Sequence, residues 1–301
     1  MSNSETTTTT GAGHCEECAA RAEAAVEQLI YAIGTLDVRF PTVGVEREFQ
    51  QRERAMQGEL PAGRGERLAH VLRANPHLWS RVCFVFSVGS VPAYIVTPSS
   101  QHVFHRMVEA VAGEAGSDAF AVLIGRRVGT AAPASCGGLL APMIVCDQLY
   151  PSKVDEWVED LGTRLEGALK KKDFEKKRFS AIAREIFHRV VQSTENVGSL
   201  DSHRALNFVL VQHPGLALSA YERSDSMLDR IETRIVQGTD LRRIVAVILT
   251  FIDRATGVPE RTFCRVDVTE EWPFLIDGAS PGVPALGLMP YVENALLGPG
   301  Y

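Results

Sequence analysis

Apolar positions along this chain fall into two periods, one of strands and one of helices. Leu29-Ile30-Tyr31-Ala32-Ile33 is an unbroken apolar run that reads as a buried strand ending near Gly34. Val82–Val88 and Ala93–Thr97 read as a hairpin around Gly89-Ser90-Val91-Pro92. Ala119–Ile124 and Leu139–Cys146 follow as strands, joined through a Pro/Gly/Ser loop at Pro133–Gly138. Further on, Arg230–Val236 alternates Ile231, Thr233 and Ile235 with charged residues, which predicts one wet face. Arg243–Asp253 is apolar on both faces, as a central strand is, and Thr262–Val268 is expected to pair with it through the turn at Gly257-Val258-Pro259.

The helical period predicts a short helix over Ala19–Gln28, one over Val43–Gln57 with Val45, Phe49 and Met56 on one face, and one over Glu66–Ala74 stopped by Pro76. Val103–Ala112 and Val154–Leu169 are amphipathic. Phe179–Val191 carries a core stripe at 179, 182, 186, 187 and 190, and Asp201 caps a helix that ends at Gln212, before Pro214. Strands and helices in this order predict an α+β fold of mixed, mainly antiparallel sheets with packed helices, and not a regular βαβ alternation. The expected organisation is a Thr-rich disordered tail over 1–14, a domain over 15–276 and a flexible tail over 277–301.

Charge narrows the classes of function. Thirty-one basic residues stand against 37 acidic ones, a net charge of −6, which argues against nucleic-acid binding. The basic run Lys170-Lys171-Lys172 with Lys176-Lys177-Arg178 is interleaved with Asp173 and Glu175 and reads as a solvated helix face. The longest apolar run, Ile244–Ile252, is far short of a membrane span, and the N-terminus lacks the features of a signal peptide. The expected location is therefore the cytoplasm, with no membrane partner.

Familiar catalytic signatures are missing: there is no Gly-x-Ser-x-Gly elbow, no His-Glu-x-x-His, no P-loop and no dinucleotide fingerprint. His102, His105 and Glu109 share helical offsets, but the apolar stripe of that helix turns them outward as a surface set. Cys15-Glu16-Glu17-Cys18 is the better metal candidate. Two thiolates in a C-x-x-C turn bind one zinc, and a structural site takes four ligands. Cys83 at a strand start and Cys136 in a Gly-rich loop are candidates for the other two, with His14 a spare ligand. Cys146 and Cys264 lie within apolar strand runs and read as small hydrophobes. Asp267, Glu270 and Glu271 beside Trp272-Pro273-Phe274 form an acidic and aromatic strand end, read either as a polar terminus or as a ligand site.

Several strings together carry a resemblance. Ile30-Tyr31-Ala32-Ile33-Gly34, Arg39-Phe40-Pro41 and Val45-Glu46-Arg47-Glu48-Phe49 come first. Then follow Ala141–Val145 with Asp147–Tyr150, His203-Arg204-Ala205-Leu206-Asn207, and Arg265–Leu275. In this order, over about residues 15–276, they resemble the C-terminal domain of unknown function of the cyanobactin maturation protease PatG. The resemblance implies cysteines at the places of Cys83 and Cys136 besides those before the first strand, and so a structural zinc on Cys15, Cys18, Cys83 and Cys136.

A free-standing member without a protease domain is similar to the peptide-binding proteins of crocagin biosynthesis, which act with an oxygenase to form a pyrroloindoline core. The implied function is recognition of a ribosomally made precursor peptide and its presentation to a tailoring oxygenase or other pathway enzymes, with a homodimer left open. Arg39, Arg204, Asn207, Glu270 and Trp272 are the expected peptide contacts. An exposed strand edge, or a groove between sheet and helices, is the expected means. The alternative is a cyclisation enzyme of the same pathway using Asp267 or Glu271 as acid–base groups.

Overall fold

A computed structural model describes residues 28–291 except 57, 59, 114–117, 133–134, 170–173, 193–194, 224, 239–240 and 277–287. The Thr-rich segment, the helix expected from Ala19, Cys15, Cys18 and most of the chain beyond 276 lie outside the described residues. In chain order come β1 (Leu29–Arg39), α1 (Val43–Ala55), α2 (Arg64–Ala74), β2 (Cys83–Val88), β3 (Val91–Pro98), α3 (Gln101–Gly113), β4 (Ala119–Thr130) and β5 (Pro142–Lys153). They are followed by α4 (Val154–Leu169), α5 (Lys176–Val191), α6 (Asp201–Gln212), α7 (Gly215–Glu222), β6 (Ser226–Gly238), β7 (Arg243–Asp253), β8 (Pro259–Asp267), β9 (Phe274–Leu275) and β10 (Met289–Pro290). The expected α+β class with mixed, mainly antiparallel sheets holds. None of the described helices is long and apolar enough to cross a membrane.

The first five strands close into a barrel in the order β1-β2-β3-β5-β4. All pairs are antiparallel except β3 with β5, which runs parallel from Ile95↔Met143 to Pro98↔Cys146. A parallel pair needs a crossover, and α3 with β4 supplies it. Alternation along β1 divides its side chains between two cores. Ile30, Ala32, Leu36 and Val38 join Phe84, Phe86, Val96 and Leu123 inside the barrel, where α2 and α3 pack against them. Tyr31 and Ile33, with Phe120, Val122 and Ile124 of β4, face outward onto α4, α5, α6 and the second sheet. On the outer face of β2 and β3, Cys83, Val85 and Ile95 meet Ala131, Cys136 and Ala141 of the connection into β5.

The second sheet has the order β10-β8-β7-β6, with β9 also on β8. Its centre is β7, as its two apolar faces predict. Val245, Val247, Leu249 and Phe251 point to the large core, and Ala246 and Ile248 to a small cluster with Phe263, Met289 and Tyr291. The predicted pairing of β7 with β8 runs from Ile244↔Asp267 to Ile252↔Pro259.

Three local features differ from the sequence reading. The hairpin turn is Gly89-Ser90 alone, both residues with positive φ (55° and 67°), so the strands close directly at Val88↔Val91. That left-handed pair is the turn whose twist suits two antiparallel strands, and Pro92 is absorbed at a register shift next to Ser87. β5 runs on past Cys146 to Lys153, because β4 offers it a partner as far as Ala119↔Lys153. After Pro214 the chain forms α7, whose first turn closes through Leu218 N–H to Pro214 O at 2.9 Å.

Gly34 lies where β1 approaches β2 too closely for a side chain. A Cβ there would sit 2.1 Å from Ser87 O and 2.7 Å from the Phe86 ring. Gly34→Ala is expected to cost about 1–3 kcal/mol, the usual cost of overpacking a core. Gly44→Ala in the open first turn of α1 serves as the control and is expected to leave stability unchanged or slightly raised. Urea unfolding of both variants measures the contrast, and equal midpoints would contradict the close approach.

Candidate functional site

The strings that stand out in the sequence converge at the seam between barrel and second sheet. Backbone pairing of β1 with β2 covers only Thr35 to Arg39, which leaves the edge beside Tyr31 without a strand. The segment before α6 fills the gap. Tyr31 N–H donates to Gly198 O at 2.9 Å, and Asn207 Nδ2 donates to Tyr31 O at 2.9 Å. Asn207 Oδ1 in turn accepts from Asn196 Nδ2 at 2.6 Å. Gly198 has φ +81°, and a Cβ there would fall 2.4 Å from Tyr31 O, so only glycine fits. Tyr94 Oη fixes the same segment from β3 by donating to Val197 O at 2.8 Å.

Arg204 holds the other side of the seam. It is 1% exposed, donates from Nη1 to Val268 O at 2.6 Å, and from Nη2 to Glu270 O and to Glu271 O at 3.3 Å. Burial disfavours its charge and pulls it down to about 10, still protonated at neutral pH, with Asp201 3.5 Å away as counter-charge. Arg243 shares Asp201 at 3.2 Å and donates to Thr269 O at 2.8 Å. The carbonyls after β8 are thus gathered by two guanidiniums, and this aims Trp272 at the aromatic group of Tyr31, Phe208 and Tyr150, with ring centroids 6.1–6.4 Å from its own.

The five expected peptide contacts therefore fall into two kinds. Arg204 and Asn207 are each 1% exposed and spend their hydrogen bonds within the chain, on backbone carbonyls and on the Asn196 side chain; they brace the seam. Arg39 and Glu270 are exposed, and Trp272 is half-buried. Arg39, at the far end of β1, pairs in register with Cys83, away from the seam.

Asp267 is also tied down. Burial raises its carboxyl, but Thr269, at 2.5 Å through Oγ1 and 3.0 Å through its N–H, and Arg242 at 2.9 Å outweigh this and hold it below the usual range. A carboxylate so paired is a poor general base. Glu271 is exposed, 3.9 Å from Arg126, which binds Asp147 at 3.0 Å. Burial drives His213 down to about 4, and its neutral ring accepts Gly215 N–H at Nδ1 (3.0 Å).

Cys83 and Cys136, 53 residues apart, meet as a disulfide with Cα atoms 5.7 Å apart. Disulfide sulfurs are not zinc ligands, so this pair can hold metal only when reduced. Among the described residues no group of three or more His, Cys, Asp or Glu is arranged for a metal, and His102 and His105 are exposed on α3. Cys146 is buried, which with Asp147 pushes its thiol up to about 12, so it is an inert core residue, and Cys264 is buried in β8.

One feature open to a partner went unread in the sequence: the edge of the second sheet. Every long strand of the barrel pairs on both sides, β8 is flanked by β7, β9 and β10, and β7 by β6 and β8. Among the described residues, β6 alone of the long strands has a whole edge without a strand partner. Its first carbonyls, Leu228 O at 2.6 Å and Asp229 O, accept from Arg189 of α5. Beyond them Ile235 stands 70% exposed. A cleft of about 360 Å³ opens between α5, the end of α7 and the start of β6.

A closed five-stranded barrel joined to a second, antiparallel sheet defines an α+β domain. The chain belongs to the PatG Domain family, whose model matches residues 29–244, from β1 to the start of β7. A solved structure described as "PatG Domain of Unknown Function" shares the fold, with a TM-score of 0.63 at 19% identity over 82% of this chain and 96% of that one. No curated protein matches the chain.

Arg204→Met is expected to cost about 2–4 kcal/mol, because it removes the hydrogen bonds to the carbonyls of Val268, Glu270 and Glu271. Glu270→Ala, which removes an exposed side chain but keeps the carbonyl, is expected to be within about 0.5 kcal/mol of wild type. Chemical unfolding of the two variants gives the comparison, and an Arg204 variant as stable as the Glu270 variant would contradict the brace.

Proposed function

We propose that this chain is a peptide-docking module that takes an extended segment of a ribosomally made precursor peptide onto the β6 edge and presents it to tailoring enzymes. The observation that carries this reading is the edge of β6 beside the α5 cleft, which no strand among the described residues covers. An unpaired edge is a liability unless charged, covered or used. Here Arg230, Glu232 and Arg234 supply charge, yet Ile235 and Met227 leave apolar side chains in solvent along the same strand. An added strand would satisfy the edge backbone, and alternate side chains would settle on the α5 side or in solvent. The family resemblance supports the peptide natural-product setting, and the firmly paired state of Asp267 supports docking over acid–base catalysis.

Calorimetric titration of a precursor peptide into the whole protein, followed by mass spectrometry of the mixture, tests the proposal. Expected are saturable binding, no change in peptide mass without a partner enzyme, and binding about tenfold weaker in Ile235→Lys, a gatekeeper substitution at an exposed edge position. Absence of binding, or modification by this chain alone, would refute it. Sedimentation of the protein without peptide identifies edge-to-edge pairing of two copies, which would compete with the peptide.

We also propose that, in a reducing compartment, Cys83 and Cys136 join Cys15 and Cys18 around one structural zinc that ties the N-terminal segment to the outer face of β2. Support comes from the meeting of the second pair across 53 residues of sequence. Metal analysis of protein purified under reducing conditions is expected to give about one zinc per chain, lost in Cys83→Ser and on chelation with a fall in melting temperature. Metal-free protein that keeps a full Cys83–Cys136 disulfide in reductant would rule the site out.

A further inference from the structure

On the reading that β6 accepts a peptide strand, we infer that the bound segment carries a run of carboxylates, received by the arginine cleft where β6 begins. The chain as a whole is acidic, with a net charge of −6, yet four guanidiniums line this cleft (Arg178, Arg189, Arg223 and Arg254) against the single carboxylate of Glu185. Arg223 has a counter-ion, Glu260 at 3.4 Å. The other three have no carboxylate within ion-pair distance among the described residues. Cations gathered without counter-charge repel one another, and an anionic ligand relieves that repulsion.

Neutral groups help to hold three of these side chains in place. Arg189 spends two of its five donors on Leu228 O and Asp229 O. Arg178 lies over the Tyr221 ring at 5.0 Å and reaches Tyr221 O at 3.5 Å. Arg223 covers the Phe251 ring at 5.1 Å and donates to Ser219 O at 3.1 Å. Each keeps unused donors, and a guanidinium already fixed loses little further freedom on gripping a carboxylate through two bonds. Met227, 54% exposed, and the half-buried Ile182 add an apolar wall, which suits side chains of a peptide better than a bare inorganic anion. Because Arg189 binds β6 carbonyls directly, the cleft and the free edge are continuous, and one extended chain can occupy both.

The test uses the full chain and two dye-labelled synthetic peptides read by fluorescence anisotropy. One joins Glu-Asp-Glu-Asp to Thr-Val-Thr-Val-Thr, and the other replaces the acidic run by Gln-Asn-Gln-Asn. The acidic probe is expected to bind about tenfold tighter, with the advantage shrinking as salt is raised. In the double variant Arg178→Gln, Arg254→Gln, built at two exposed positions and checked by its melting temperature, the two probes are expected to bind alike. The neutral probe is expected to bind variant and wild type equally. Equal affinity of both probes for wild type removes the acidic run but leaves docking on β6 standing. Binding of neither probe overturns both. Displacement of the acidic probe by inorganic phosphate at equal concentration would assign the cleft to a lone anion and overturn the peptide assignment.

Discussion

Closure of the barrel by the pairing of β1 with β4 is the constraint from which the rest follows. Leu29↔Arg126 through Gly34↔Ala121 join the first strand to the fourth, so that β1 to β5 share their backbone hydrogen bonds around a ring. A ring has no free edges where it is fully paired. It is incomplete beside Tyr31, and there Gly198 O supplies the acceptor and Asn207 Nδ2 the donor that a strand would have given. Arg106 reaches Leu149 O at 3.4 Å where β5 outruns β3. On the second sheet, the chain after β8 folds back to cover that strand as β9 and β10. Among the described residues no strand covers the outer edge of β6, and the proposed function rests on that difference.

Arg204 links the two halves. A buried cation costs desolvation free energy, and here it is offset by carbonyls from three residues after β8 and by Asp201. The polar residues that draw attention in α6 are therefore structural. Burial separates the roles: Asn207 holds Tyr31 and Arg204 holds the segment that leads to Trp272, whereas Arg178 and Arg254 are exposed.

Much of the local structure was legible because it depends on local pattern. The helices α1 to α6, the β2–β3 hairpin and the doubly buried β7 follow directly from the spacing of apolar residues, from Pro76 and from Gly89. Cys83 and Cys136 were expected to share a zinc with Cys15 and Cys18, and they meet instead as a disulfide. Barrel closure was not legible, since no periodicity says that β3 lies parallel to β5 or that β1 returns to β4. β5 looked short because the polar Asp147 and Gln148 interrupt its apolar run near a register shift. The arginine cleft was hidden for the same reason. Arg178, Ile182, Glu185 and Arg189 share one face of α5 by helical spacing, a signal present in the sequence. Arg223, however, joins them only through the packing of α7 on α5, and Arg254 only through the pairing of β6 with β7. Read alone, the basic run was a solvated face.

Hydrogen–deuterium exchange across the whole chain, with and without a precursor peptide, tests the strand-docking account most directly. Amides whose N–H groups point away from β7 along Ser226–Val236 exchange freely unless a new strand covers them. The account predicts slowed exchange over β6 when peptide is added, with β7 and the barrel unchanged because their amides are already paired. Protection confined to the barrel or to the seam around Trp272, with β6 exchanging as before, would contradict it.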